Sequence, residues 1–455
     1  MKTARTSVWV AAVLGPILLA LPVGAGSGDA KGSSLDGSWL GTLKVSPTVS
    51  LRAVFSIRAN AGGSFSGTFL SPDQGPTAFA LSRISLEDGR VTIDVSAIGG
   101  HYEGILNAEG SAISGTWTQR GASLDLPLRR RPQEPKRPYP YLDEEVTYQN
   151  VKDGVTLAGT LTMPFTGGPF PAVILITGSG QEDRDESAYG HRPFLVLADY
   201  LTRRGIAVLR VDDRGVGGST GDASQATSED FSRDVLAGIE YLKTRQEIDP
   251  KRIGLIGHSD GGAIAPLAAV DSNDVAFIVL MAGPGVTGDL VIEGQIASLL
   301  KAAGADQPAI DAALQQQRRV IDVVKSVTDP ILANERLRDL GCADSEIPAL
   351  TSKWFHFFVT HDPQETLRKV RCPVLALNGG LDFQVLAQVN LSAIEKALRE
   401  GGNPDFSVKE LPGLNHLFQT AQTGNLDEYA KIEETMSPVA LETVATWIVD
   451  RTEQK

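Results

Sequence analysis

"IGLIGHSDGGAIAPLAAV", residues 253–270, sets Gly257-His258-Ser259-Asp260-Gly261 between two apolar runs of different character. The run "RIGLI" reads as a strand buried on both faces, and "AIAPLAAV" reads as a helix. Ser259 therefore falls on a tight strand-to-helix turn, with its hydroxyl projecting from the bend. Glycines at 257 and 261 permit the close backbone approaches that such a turn requires. The helix start beyond it supplies N–H groups and the positive end of a dipole where negative charge would develop. The five-letter pattern alone is weak, because Gly217-Gly218-Ser219-Thr220-Gly221 repeats it. Ser219 lies several residues past its strand in the polar loop "DDRGVGGSTGDASQ" and reads as a turn residue. Position selects Ser259. Pro266, inside the following helix, removes one hydrogen bond there and can bend the axis.

Working outward, "FPAVILITGSG", "IAVLRVDDRG", "AFIVLMAGPG", "CPVLALNGGLD" and "FSVKELPGLNH" are further apolar runs, each ending in turn residues. Helical segments lie between them. In "SEDFSRDVLAGIEYLKTRQEI", Phe231, Val235, Ile239 and Leu242 share one face, and Thr227 or Ser228 can cap the start. Strands alternating with helices predict an α/β domain over 143–455, a mostly parallel sheet with helices on both faces, entered through the hairpin "EEVTYQNV" and "VTLAGTLTMP". Between Pro284 and Arg371 no buried-strand pattern occurs; "LVIEGQIASLLKAAG" and "DAALQQQRRVIDVVKSV" have helical periodicity. This predicts a helical cap at about 285–370, lying over the C-terminal edge of the sheet, with a peripheral helical pair as the alternative.

The first third of the chain differs. Residues 31–130 carry eight short alternating stretches divided by turn residues, which predict an antiparallel β-barrel or sandwich. A proline-rich stretch at 131–142 reads as a stiff linker. Residues 1–25 have Lys2 and Arg5, an apolar run from Val8 to Val23, and small residues at the end. This is the pattern of a cleaved secretory signal peptide, and it predicts export to the periplasm or the exterior with no stable membrane insertion after cleavage. The net charge of −13, without any basic run, argues against nucleic acid or an anionic membrane as partner. Cys342 and Cys372 are either a single disulfide or two buried thiols. Six scattered histidines lack ligand spacing, so neither a metal nor another cofactor is expected. A homo-oligomer is left open.

A serine hydroxyl needs a base, and neutral imidazole suits that role near pH 7. In a sheet of this kind the acid follows a later strand and the histidine comes last. Of six histidines only His416, in "LPGLNHLF", lies beyond the final strand-like run. Asp382 follows "PVLALNGGL" and is the candidate acid, ahead of Asp362, which precedes that strand, and Asp405, in a turn before the next. Such an acid fixes the imidazole tautomer and stabilises the imidazolium. His258 adjoins the nucleophile but points elsewhere, in a structural role. The oxyanion donors are expected to be the backbone N–H of Asp260 and that of Ser179, or of Gly180, in "TGSGQ".

These segments together resemble the α/β-hydrolase superfamily, in particular exported bacterial carboxylesterases with an extra N-terminal β-domain, related to serine aminopeptidase-like and dienelactone hydrolase-like proteins. The resemblance rests on "LITGSGQEDRDE", "IAVLRVDDRGVGGSTG", "IGLIGHSDGG", "ALNGGLDFQV" and "LPGLNHLFQTA", in that order, and spans about residues 143–450. It implies a Ser-Asp-His triad at Ser259, Asp382 and His416, acting through an acyl-enzyme on small-molecule esters, often of short acyl chain. Where the superfamily often has His-Gly in the oxyanion loop, this chain has Thr177-Gly178. The resemblance also sets "KWFHFF", 353–358, near the acyl-binding side, unless that run is simply core. Two other readings remain: the same triad cleaving an amide, as a peptidase does, or a ligand-binding β-domain presenting Trp39, Phe65, Tyr102 and Trp117, which as barrel core would bind nothing.

Overall fold

Strand alternation in the first third of the chain produces ten strands: β1 (Gly37–Lys44), β2 (Ser50–Ala59), β3 (Phe65–Leu70), β4 (Ala78–Ala80), β5 (Arg83–Glu87), β6 (Arg90–Val95), β7 (Gly100–Leu106), β8 (Ala112–Gln119), β9 (Ala122–Asp125) and β10 (Leu128–Arg130). The computed structural model describes residues 35–60, 63–75 and 77–453; the expected signal peptide at 1–25 lies outside them. The ten strands form one antiparallel sheet, ordered β4-β3-β2-β1-β10-β8-β7-β6-β5 with β9 on β8. It curls into a half-barrel, which matches the barrel-like β-domain that the alternation predicts. Its concave face is filled by aromatic rings. Phe69 stacks on Trp117 at 5.1 Å, and Phe55 leans on Phe69, Tyr102 and Trp117. Gly100 is required under this cluster, since a Cβ there would lie 2.2 Å from the Trp117 ring. Trp39, Tyr102 and Trp117 are buried and Phe65 packs against the same core, so these aromatics are not a ligand platform.

The second sheet has eight strands: β11 (Leu142–Asn150), β12 (Val155–Met163), β13 (Phe170–Ile176), β14 (Ala207–Val211), β15 (Ile248–His258), β16 (Phe277–Met281), β17 (Val374–Gly379) and β18 (Phe406–Leu411). Their order is β11-β12-β14-β13-β15-β16-β17-β18, with β12 antiparallel to both its neighbours and every other pair parallel. Helices α1 (Pro193–Thr202), α2 (Ser228–Lys243) and α3 (Gly261–Asp271) follow β13, β14 and β15 in turn. The apolar stripe of α2, with Val235, Ile239 and Leu242, joins Ile264 of α3 in the core on one face of the sheet. Phe194 and Leu197 of α1 pack on the other. Residues alternate between these two cores along each parallel strand, so burial on both faces produces the continuous apolar runs.

Between β16 and β17 the chain forms a helical layer: α4 (Gly288–Ala302), α5 (Gln307–Ser326), α6 (Pro330–Asp339), α7 (Ile347–Leu350), α8 (Lys353–Thr360) and α9 (Pro363–Leu367). Its own apolar core includes Ile292, Ile296, Val320, Val324, Leu337 and Phe355. Helices α10 (Ala387–Glu400), α11 (Leu426–Tyr429) and α12 (Pro438–Thr452) complete the chain, with α10 on the α2 face and α12 beside α1. Cys342 and Cys372 are both free thiols. Among the described residues no helix is long and apolar enough to cross a membrane.

Candidate active site

Ser259 follows β15 directly and has φ of 53°, a left-handed backbone that a residue with a Cβ rarely adopts. The turn is closed by Ser259 N–H donating to Met281 O at 2.9 Å and by Gly262 N–H donating to Ser259 O at 2.9 Å. Gly257 is irreplaceable here, because a Cβ would sit 1.9 Å from Gly261 O. The second pattern copy has no such geometry. Ser219 Oγ is occupied, donating to Asp212 O at 2.7 Å and accepting from Ala158 N–H at 2.9 Å.

The loop after β17 carries Asp382 and the loop after β18 carries His416. Strand pairing brings the two loops together, and His416 Nδ1–H donates to Asp382 Oδ2 at 2.8 Å, with both residues buried. Asp382 Oδ1 accepts from the N–H groups of Gln384 and Val385 at 2.8 and 2.9 Å, which fixes the carboxylate. The two other aspartates considered lie elsewhere: Asp362 caps α9, accepting from Gln364 N–H, and Asp405 pairs with Arg451. Ser259 and His416 line the same cavity of about 980 Å³. Its walls include apolar Leu157, Ile174, Phe231, Val235 and Ile264, and cap residues Ala349 and Trp354 face it from above. The helical insertion thus covers the strand ends. Of "KWFHFF", Trp354 reaches the cavity while Phe355 is cap core.

Gly178 N–H is taken by Glu186 Oε1 at 2.9 Å. Ser179, Gly180 and Asp260 N–H make no hydrogen bond to another described residue, and all three residues line the cavity. Asp260 also has a role beyond its backbone. Its buried carboxyl accepts from Trp354 Nε1–H at 2.8 Å and from Ser228 Oγ–H at 3.2 Å, so one side chain links the turn at Ser259, α2 and the cap. Burial raises its pKa.

Glu186 is the residue that the sequence reading missed. The same Oε1 that holds Gly178 N–H also accepts from His258 Nδ1–H at 2.8 Å, while His258 Nε2–H donates to His416 O at 3.0 Å. Both ring nitrogens of His258 face acceptors, which requires the imidazolium. Burial opposes that charge, but the Glu186 carboxylate and the two hydrogen bonds outweigh it and raise the pKa. His258 and Glu186 thus tie the loop after β13 to the backbone of His416. Glu186, like Ser259, has positive φ, 51°. A carboxylate eight residues after Gly178, in the run "EDRDE", carries no pattern that would point back to the loop.

Other carboxyls crowd the cavity. Asp213 accepts from Thr177 Oγ1–H at 2.8 Å and Glu182 N–H at 3.0 Å, and burial pushes its pKa up to about 8. The Glu182 carboxyl has no hydrogen bond to another described residue; burial and the neighbouring Glu186, Asp183 and Asp213 hold its pKa well above the carboxylate range. Among the described residues no group of three or more His, Cys, Asp or Glu could hold a metal ion.

Residues 173–427 match the sequence model of the alpha/beta hydrolase family. Esterase EstD of Thermotoga maritima is 25% identical over 295 residues, which cover 64% of this chain and 65% of EstD. Esterase FrsA of Vibrio cholerae is 33% identical over 141 residues, 31% of either chain. The chain thus spans less than two thirds of these relatives. Among solved structures, Est1E of Butyrivibrio proteoclasticus superposes with a TM-score of 0.42 at 18% identity, covering 67% of this chain and 98% of that one.

Proposed function

The chain belongs to the alpha/beta hydrolase family, and on that premise we propose that it is a serine hydrolase cleaving small carboxylic esters of short acyl chain. The observation that carries this reading is Ser259 on its left-handed turn, sharing one cavity with a buried His416–Asp382 pair. With Nδ1–H held by Asp382, the neutral His416 ring has its lone pair on Nε2. That nitrogen takes the Ser259 proton as Oγ bonds to the ester carbonyl carbon, and the carbonyl electron pair moves onto oxygen. In this reading Asp260 N–H and Ser179 N–H receive the oxyanion; that neither has a hydrogen-bond partner among the described residues supports it. Collapse of the tetrahedral species expels the alcohol, which takes the proton from His416. Water, deprotonated by the same ring, then releases the acid. EstD and FrsA bear esterase names, which supports the ester class.

The test is an acyl-length series of p-nitrophenyl esters with a serine-reactive phosphonate. Turnover should peak at a short chain, and the phosphonate should label Ser259 alone; labelling elsewhere overturns the assignment. Residues 1–25 support export after cleavage, which N-terminal sequencing of protein from the producing cell decides.

Cleavage of an amide by the same groups is favoured by one observation, the unpartnered Glu182 carboxyl in the cavity wall. A substrate ammonium would relieve its crowding with other carboxyls. Aminoacyl-anilide turnover exceeding that of the matched uncharged ester, and lost in Glu182→Gln, would establish this reading; ester turnover indifferent to that change would remove it.

A further inference from the structure

The β-domain lies against the catalytic domain at its two active-site loops. Val54 of β2 fits beneath Gly190, where a Cβ would come within 2.8 Å, and Leu40, Val54 and Leu70 form an apolar patch against Ala430. Beside this patch Arg58, also on β2, extends its guanidinium to Asp183 at 3.2 Å and Asp185 at 3.4 Å. Those aspartates belong to the turn that presents Glu186. Asp183 Oδ1 accepts from Asp185 N–H and Ser187 N–H at 2.9 and 3.2 Å, and Asp183 O accepts from Glu186 N–H at 2.8 Å. Arg58 therefore holds the carboxylate around which the backbone folds to bring Glu186 under Gly178 and His258.

The segment following the β-domain holds the other loop. Gln133 Oε1 accepts from Thr435 N–H and Met436 N–H at 2.6 and 3.0 Å, and Arg131 Nη1 donates to Ile432 O and to His191 Nε2. Gln419 Nε2 lies 2.9 Å from the same His191 nitrogen and donates to Glu434 O, and its backbone N–H and O are bonded to Asn415, next to His416. Residues 131–142 are thus not a free spacer: Arg131 and Glu134 are buried between the domains.

We propose that the β-domain is a positioning part of the catalytic centre and that Arg58 is a positioning residue, which seats the oxyanion loop through Asp183 and Glu186. This rests on the serine-hydrolase reading above, because the loop matters for turnover only if Ser179 N–H receives an oxyanion. Removing a direct oxyanion donor costs about 10²–10³ in kcat, and a group acting through two links should cost about tenfold. Arg58 is suited to the test. Its side chain is one-third exposed, and Asp185 keeps Arg192 and Arg210 when it is lost, so no buried charge is stranded.

The full chain is compared with Arg58→Gln and Arg58→Lys, using kcat and KM on a short p-nitrophenyl ester, thermal midpoint, and hydrogen exchange over residues 177–188. The proposal expects kcat down about tenfold in Arg58→Gln with KM within twofold, a midpoint close to wild type, faster exchange confined to that segment, and partial recovery in Arg58→Lys. Unchanged kcat and exchange overturn it. So does a loss of kcat that follows a general loss of stability and is not recovered by lysine. A wild-type chain that turns over no ester and does not react with phosphonate defeats the hydrolase reading instead, and hydrogen exchange then still decides whether Arg58 orders the loop.

Discussion

Ser259 is held in a backbone conformation that favours glycine, by hydrogen bonds from both sides of the turn, so the strain is a property of the site and not of the side chain. Ser259→Ala keeps that φ and removes only Oγ. Circular dichroism and thermal midpoint should match wild type while ester turnover falls at least about 10³-fold; retained turnover would remove Ser259 from the mechanism. The His258–Glu186 pair makes a prediction about pH. His258 has a folded pKa raised above its ordinary 6.5, so its stabilising contribution is full below 6.5 and fades as pH climbs through the folded value. Thermal midpoints from pH 5 to 9 should therefore fall on the alkaline side, and Glu186→Gln should be less stable at low pH and show a flatter profile. Equal profiles would mean that the ring is neutral. That a turn at Ser259 could be read locally, while the Glu186 hub could not, follows from reach. The glycines that mark the turn lie within two residues of Ser259, but Glu186 meets His258 across 72 positions.

Among elements, α8 matters most to the site. It places Trp354 over the cavity, stacked on Phe358 at 5.1 Å, with its indole N–H on Asp260. Trp354→Phe keeps the ring and deletes the donor, leaving the buried Asp260 carboxyl with Ser228 alone. A loss of about 1–3 kcal/mol in stability is expected, together with reduced kcat/KM if the cap steadies the Asp260 backbone; denaturant unfolding and ester kinetics measure the two separately. The helices of the cap were legible from their period of apolar residues, since each buries one stripe in a shared core. Their place over the strand ends was expected from the position of the insertion in the chain, but their contacts with the site were not, because an amphipathic stripe specifies that a face is buried without specifying what lies against it.

For the whole molecule, the β-domain, residues 131–142 and the hydrolase domain share buried charge. Glu134 and Arg192 pair in the interior, while Arg58, one-third exposed, reaches Asp185, and Arg129 meets Glu433 at 2.6 Å on the surface. Starting the chain at residue 143 would remove Glu134 from the buried Arg192, leaving it only Asp185, and uncover the Ala430 patch. The truncated protein should be recovered in low soluble yield or with a lowered midpoint; full stability and full ester turnover would show that the domains are independent. The alternation of residues along the strands was enough to divide the chain into an all-β part and an α/β part, and to place Ser259, Asp382 and His416 after successive strands. These features are periodic or sequential, and burial on one face or two imposes them directly on residue order. What the chain's order does not contain is how separate loops meet. The curl of the β-domain sheet, the seat of Trp354 on Asp260, the burial of Arg131 and Glu134, and the carboxylates gathered around Gly178 arise from contacts between residues far apart in the chain. Only packing decides these, because a charged side chain is stable in the interior only where the fold brings it a partner.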